Sequence, residues 1–220
     1  MAENIRLTEI AKMVHKGMIT ADIGTDHAFL PIYLVQHNIC NRVYACDIAE
    51  GPLKSARENV ASVGMQDRIP LILSDGLKNV PEDVNCIVIA GMGFKTAEGI
   101  LERDFHRLRD FDQIIVEVNR DTIDMRNWIK EKKFFIQDEV YVYDRGHDYV
   151  TIAFDTHKSS DYSYSDIILG PVLFLKKEQA YYDYLRRRRD KIKNIIALSH
   201  GHAKKQYELQ KELDLLNTVL

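Results

Sequence analysis

The stretch ADIGTDHAFLP, Ala21 to Pro31, decides how the chain is read. It is laid out like the first strand, loop and helix of a nucleotide-binding fold. Of the dinucleotide pattern G-x-G-x-x-G, however, it keeps only Gly24, and Asp26, His27 and Ala28 fill the positions around it. A strand ending in Asp22 and a loop carrying acid would repel a pyrophosphate and suit a cationic ligand.

Outward from that loop, β-branched apolar runs alternate with helical patterns for the first 155 residues, the signature of βα units around a mostly parallel sheet. Strands are predicted at 18–23, 42–47, 69–74, 85–90 and 112–118. Helices are predicted at 5–16, 29–38, 50–63, 94–103 and 122–132. The run FFIQDEVYVYDRGHDYVTIAFD, 134–155, then reads as two strands joined around Asp144-Arg145-Gly146, a hairpin that gives the sheet an antiparallel end. Five parallel strands plus a terminal hairpin is the order of the class I methyltransferase (Rossmann-like) seven-stranded sheet, an α/β fold.

Residues 1–156 form the expected sheet domain, polar residues 157–170 a linker, and 171–220 a C-terminal helical hairpin. The first helix of that hairpin is predicted to run from Gly170-Pro171 to about Ala197, with a turn at Ser199 to His202. Tyr182, Leu185, Arg189, Ile192 and Ile196 on one helix and Leu209, Leu213, Leu216 and Leu220 on the other form seams of coiled-coil type.

The overall charge of −3 is unevenly spread. From Pro171 onward 11 Lys and Arg face six Asp and Glu, leaving 19 against 27 upstream. An acidic globular part with a basic appendage points to a polyanionic partner. No run of about 18 apolar residues occurs, and MAENIRLTEI lacks the apolar core of a signal peptide. A cytoplasmic protein with no membrane association is expected, monomeric rather than oligomeric. Cys40, Cys46 and Cys86 stand singly and read as buried thiols. The eight histidines are scattered, and His200 with His202 is a poor ligand pair, so no metal is expected.

A ligand at the carboxyl ends of parallel strands meets the loop after each one. S-adenosylmethionine (SAM), with a sulfonium and an α-ammonium, is a cation that suits the Asp22–His27 loop; Asp26 would also cap the following helix. Asp47, ending strand two, can grip ribose hydroxyls, though NAD sites use the same acid. Asp75 in Ser74-Asp75-Gly76 can accept from an adenine amino group, or merely make an Asx-turn. Ala90-Gly91-Met92-Gly93 leaves a bare backbone after strand four, where an accepting atom would approach.

Together DIGTDHAFLPIYL, CDIAEGPLKSARENV, SDGL, IAGMG and LGPVLFLKKE resemble the bacterial tRNA (adenine-22 N1)-methyltransferases of the TrmK family, in order and over essentially the whole chain. The resemblance implies SAM held by Asp22, Gly24, Thr25, Asp26, His27, Asp47, Ile48, Asp75, Gly76 and Ala90. It places Asp26, Gly91, Met92, Gly93 and Asn119 at the methyl-transfer centre. Departures from the family pattern cluster on the acceptor side. They are Phe94 for a second glycine after Gly-Met-Gly, Glu117-Val118-Asn119 for Gln-Pro-Asn, and Val150 for Glu after Tyr149.

On this reading tRNA is the partner. Phe94 and Tyr149 are candidate stacking surfaces for the base, and Arg186, Arg187 and Arg188 are phosphate contacts. Asp26 or Glu117 would stabilise the cationic methylated base. A SAM-binding RNA protein without activity and an NAD-dependent oxidoreductase are the alternatives.

Overall fold

A computed structural model describes residues 4–118, 121–198 and 203–220. The sheet strands are β1 (Thr20–Ile23), β2 (Val43–Asp47), β3 (Leu71–Leu73), β4 (Cys86–Met92), β5 (Gln113–Val118), β6 (Phe135–Asp144) and β7 (His147–Asp155). They lie in the order β3-β2-β1-β4-β5-β7-β6, the first five parallel and the last two antiparallel. Chain order reverses beside β1 and β4, so the crevice for a ligand opens at their carboxyl ends. Each expected strand is present, trimmed by up to two residues at its start.

Between the strands run α1 (Ile5–Met13), α2 (Phe29–Gln36), α3 (Glu50–Ser62), α4 (Phe94–Arg103) and α5 (Thr122–Glu131). The Asn4 side chain caps α1 by accepting from the Leu7 N–H at 3.2 Å, and Ile10, Ala11 and Met13 bury its inner stripe. That stripe joins Leu34, Val43, Ala45, Val60, Val88, Ile115 and Ala153 in one core face. Another apolar cluster is aromatic, with Trp128, Phe134 and Phe154 rings about 6 Å apart. The hairpin turns on Arg145 and Gly146, both at positive φ (48° and 84°), as a two-residue type I′ connection requires.

In β4 the register against β5 shifts between Ile89 and Met92, with Gly91 at φ 74°, a bulge that takes Ala90 and Gly91 out of the ladder before Met92 pairs with Val118. Cys40, Cys46 and Cys86 are all free and buried.

The chain divides into two compact units after Asp161, a point inside the expected 157–170 linker. Residues expected to be linker instead begin the second unit. Ser163 and Asp166 form a reciprocal capping box that starts α6 (Tyr164–Leu169), whose Ile167, Ile168 and Leu169 are buried. The expected long helix is also broken. A short α7 (Leu173–Lys176) ends at Lys177 in the left-handed region, φ 55°, and α8 (Gln179–Leu198) starts afresh. α8 packs on α9 (Ala203–Val219). Of the expected α8 seam Leu185 and Ile192 are buried, but Tyr181 is buried in place of Tyr182, and it is Arg188 that meets Glu212 of α9. The turn expected at Ser199–His202, with both of its histidines, lies outside the described residues.

Among the described residues, no helix is long and apolar enough to cross a membrane.

Candidate active site

The site is built on strand ends. Asp22 closes β1 with its side chain buried, and its carboxylate accepts from the Thr25 hydroxyl at 2.7 Å. Burial pushes its pKa up to about 6, against the pull of the Thr25 hydrogen bond and with a further push from Asp47. The N–H groups of Gly24 and Thr25 both donate to the Cys46 carbonyl, at 2.8 and 2.9 Å, which folds the loop back over β2.

Asp47, ending β2, accepts the Ala49 N–H on one oxygen (3.0 Å) and the Asp26 N–H on the other (3.3 Å). Its position is thereby fixed while lone pairs remain on both oxygens. Ile48 beside it is 66% exposed, an apolar surface at the rim.

The Asp26 side chain is largely exposed and 3.6 Å from His27, whose ring stacks on Phe29 at 5.3 Å. Asp26 does not cap α2: the cap residue is Ala28, which makes no side-chain bond. Both Asp26 (φ 50°) and Ala28 (φ 57°) occupy the left-handed region. For Ala28 this costs about 1–2 kcal/mol, strain of a kind concentrated at functional loops.

Gly24 has φ 78°, and a Cβ there would lie 2.1 Å from the Met92 methyl carbon. The first loop and the mouth after β4 are therefore in direct contact, and the sequence signal Gly24 is explained by that approach. Asp75 is engaged by Arg103 at 2.9 Å in an exposed ion pair. Arg103 also covers Gly76, where a Cβ would meet its guanidinium at 2.2 Å.

On the acceptor side Ala90 is partly exposed, Gly91 and Gly93 are exposed, and Gly93 caps α4. Phe94 corrects an expectation: as the first residue of α4 it is only 6% exposed, with Lys95 over its ring, and it packs in the core instead of offering a stacking surface. Tyr149 is half-buried, and the Arg6 guanidinium lies 5.0 Å from its ring centroid. Arg6 also reaches Glu117, Nη1 to Oε1 at 3.4 Å. Asn119 lies outside the described residues.

Glu117 is fully buried, and neither oxygen has a hydrogen-bond partner of normal geometry among the described residues. Burial pushes its carboxyl pKa up, countered by Arg6 and by the Gly91 backbone. Nothing in the sequence marked Arg6, one of two cations on an amphipathic helix far along the chain from Glu117.

In the second unit the three candidate arginines part company. Arg186 pairs with Asp183 at 2.7 Å, and Arg187 is exposed. Arg188 is half-buried against Glu212 of α9, which together with Tyr184 outweighs burial and holds it charged. Arg188 is thus part of the α8–α9 joint, and its guanidinium is already committed.

Residues 4–152 match the family model described as a methyltransferase domain. The Bacillus subtilis (strain 168) tRNA (adenine(22)-N(1))-methyltransferase is 28% identical over 98% of this chain and 95% of its own length. Among solved structures, M. capricolum TrmK in complex with the cofactor product S-adenosyl-homocysteine matches with TM-score 0.84 and 30% identity, over 99% of this chain and 97% of that one. The B. subtilis m1A22 tRNA methyltransferase TrmK matches with TM-score 0.84 and 26% identity, over 97% of each chain. Strand order, the acid-bearing first loop and these matches agree, and the chain belongs to the methyltransferase-domain family and, within it, to the TrmK family.

Proposed function

We propose that this chain methylates N1 of an adenine in tRNA, at position 22 by its family, with SAM as the methyl donor. The observation that carries the reading is the contact of Met92 with Gly24, which joins an acid-lined loop to a bare glycine mouth at adjacent strand ends.

The residues present fit SAM. Asp22 and Asp47 put two carboxylates beside Gly24, where a Cβ would run into Met92, and Ile48 supplies apolar rim surface. Asp47, pinned by two backbone donors, would take ribose hydroxyls, and Asp22 would hold the cationic end. SAM, when bound, supplies the electrophilic methyl group.

The protein's remaining task is placement, since N1 of adenine is a neutral nucleophile and no covalent enzyme intermediate is needed. Aligned reactants lower such a barrier by up to roughly 7–11 kcal/mol. N1 lies on the Watson–Crick edge, so the base must be unpaired or extruded, at a cost of a few kcal/mol.

Incubation with labelled SAM and bacterial tRNA, followed by nucleotide mapping, tests the reading. The expected product is 1-methyladenosine at position 22; label at another base, or none, would overturn it. The second unit would supply the phosphate contacts, led by the exposed Arg187 and Lys191, which sit one helical turn apart. Replacing both with Ala is expected to weaken tRNA binding several-fold and flatten its salt dependence while SAM binding stays unchanged. An unaltered salt slope would remove α8 as the RNA-contacting surface.

A further inference from the structure

We propose that Arg6, Glu117 and Tyr149 form the recognition pocket for the target base, with Glu117 accepting a hydrogen bond from the exocyclic amino group beside N1. This rests on the methyl-transfer reading above and names the residues that select the base.

The three side chains come from three elements and meet beside the mouth. Glu117 pairs across from Thr151, and Val118 pairs with Met92. Tyr149 is two residues from Thr151 along β7 and so shares the sheet face of Glu117. Arg6, one turn before Ile10 on the inner stripe of α1, lies over that face and reaches both. The bulge at Gly91 brings exposed backbone to the same place.

A fully buried carboxylate with no hydrogen bond of normal geometry on either oxygen among the described residues is costly, and one arginine at 3.4 Å with the Gly91 backbone beside it leaves it under-satisfied. Proteins keep such groups where a ligand completes them. The ligand must bring a donor and must reach the glycine mouth. Adenine fits, because its amino group stands directly beside the nucleophilic N1. Guanine presents a carbonyl oxygen there, which a carboxylate repels.

As N1 takes the methyl group the base becomes cationic and retains its amino protons. The hydrogen bond to Glu117 is then stronger in the transition state than in the ground state, which accelerates the reaction as well as selecting the base. Tyr149 with Arg6 over its ring provides a stack on which a purine can lie.

Glu117→Leu roughly keeps the volume and removes the acceptor, whereas Gln, the family's residue here, would keep one; the test compares Glu117→Leu with wild type on tRNA carrying adenine or unsubstituted purine at the target position. Wild type is expected to lose about 100-fold in kcat/KM when the amino group is removed. Glu117→Leu is expected to lose a similar factor on adenine tRNA and little more on purine tRNA. Without any SAM present, wild type is expected to bind methylated tRNA, with its cationic base, several-fold more tightly than unmethylated tRNA, and Glu117→Leu to bind both alike.

Arg6→Gln, at a 31% exposed position, is the second variant; it is expected to raise KM for tRNA and leave SAM affinity unchanged. A Glu117→Leu with wild-type rates, or the same penalty for amino removal in both proteins, would overturn the pocket and leave the methyltransferase reading intact. Wild-type inactivity on every tRNA would instead sink that reading.

Discussion

Glu117 and Glu139 are both fully buried, each has an arginine beside it, and they lie on opposite faces of one sheet. Arg126 is itself 2% exposed and meets Glu139 at 2.7 Å through its Nε, so this pair is closed within the protein and ties α5 to β6. Arg6 stands off Glu117 at 3.4 Å, and among the described residues the acid is left under-satisfied at the strand-end crevice. One buried glutamate serves the fold and the other is held ready for a ligand. A buried charge alone therefore says little; what separates the two is whether its hydrogen bonds are made.

The contrast can be broken most sharply through the closed pair. Glu139→Gln leaves Arg126 charged and uncompensated in the core, and a loss of about 3–5 kcal/mol is expected in urea denaturation. A change under about 1 kcal/mol would mean that the pair is no more structural than Glu117.

The next effect has the opposite sign and concerns Asp22, another acid kept at the crevice. Its folded pKa of about 6 lies above the usual 3.8, so between those values the folded state holds more protons than the unfolded one. Stability is therefore expected to fall as pH rises from about 4 to about 6, by roughly 3 kcal/mol in all. Asp22→Asn is expected to flatten that slope and raise stability at pH 7 while weakening SAM binding. A slope that survives the substitution would assign the titration to other groups.

The smallest effect lies at Glu117 itself. Glu117→Gln is expected to leave stability unchanged or to raise it by about 1–2 kcal/mol, because an under-satisfied buried charge is removed. A melting temperature that drops as far as that of Glu139→Gln would erase the distinction.

How much of this was legible beforehand depends on the range of the signal. Strands and strand-end residues were readable because alternation, a glycine turn and an acid lie within a few positions of each other, as in Asp22-Ile23-Gly24. The helix α6 was hidden by the polar look of THKSSDYSYSDII, although Ser163 with Asp166 three residues on, before Ile167 and Ile168, is a capping-box signal. In the α8 seam Leu185 and Ile192 were readable, but the tyrosine was misplaced by one residue because Tyr181 and Tyr182 are both aromatic, and four arginines in a row carry no phase. Phe94 misled because an aromatic after glycines looks like a mouth residue, whereas helix geometry turns the first residue of α4 inward. The Arg6–Glu117 pair could not be seen locally, since the contact exists only once α1 lies across the end of β5. No spacing rule spans that separation.

The three buried thiols give the molecule a reporter of its own. Burial pushes the Cys46 pKa up to about 12 and those of Cys40 and Cys86 upward as well, so almost no thiolate is present at neutral pH in the folded chain. A thiol reagent can then react only when β1, β2 or β4, on or beside which they sit, opens to water. Labelling rates would follow sheet opening without any engineered probe, and the kinetic lifetime of the parallel strands can be timed in wild type and in every variant named above.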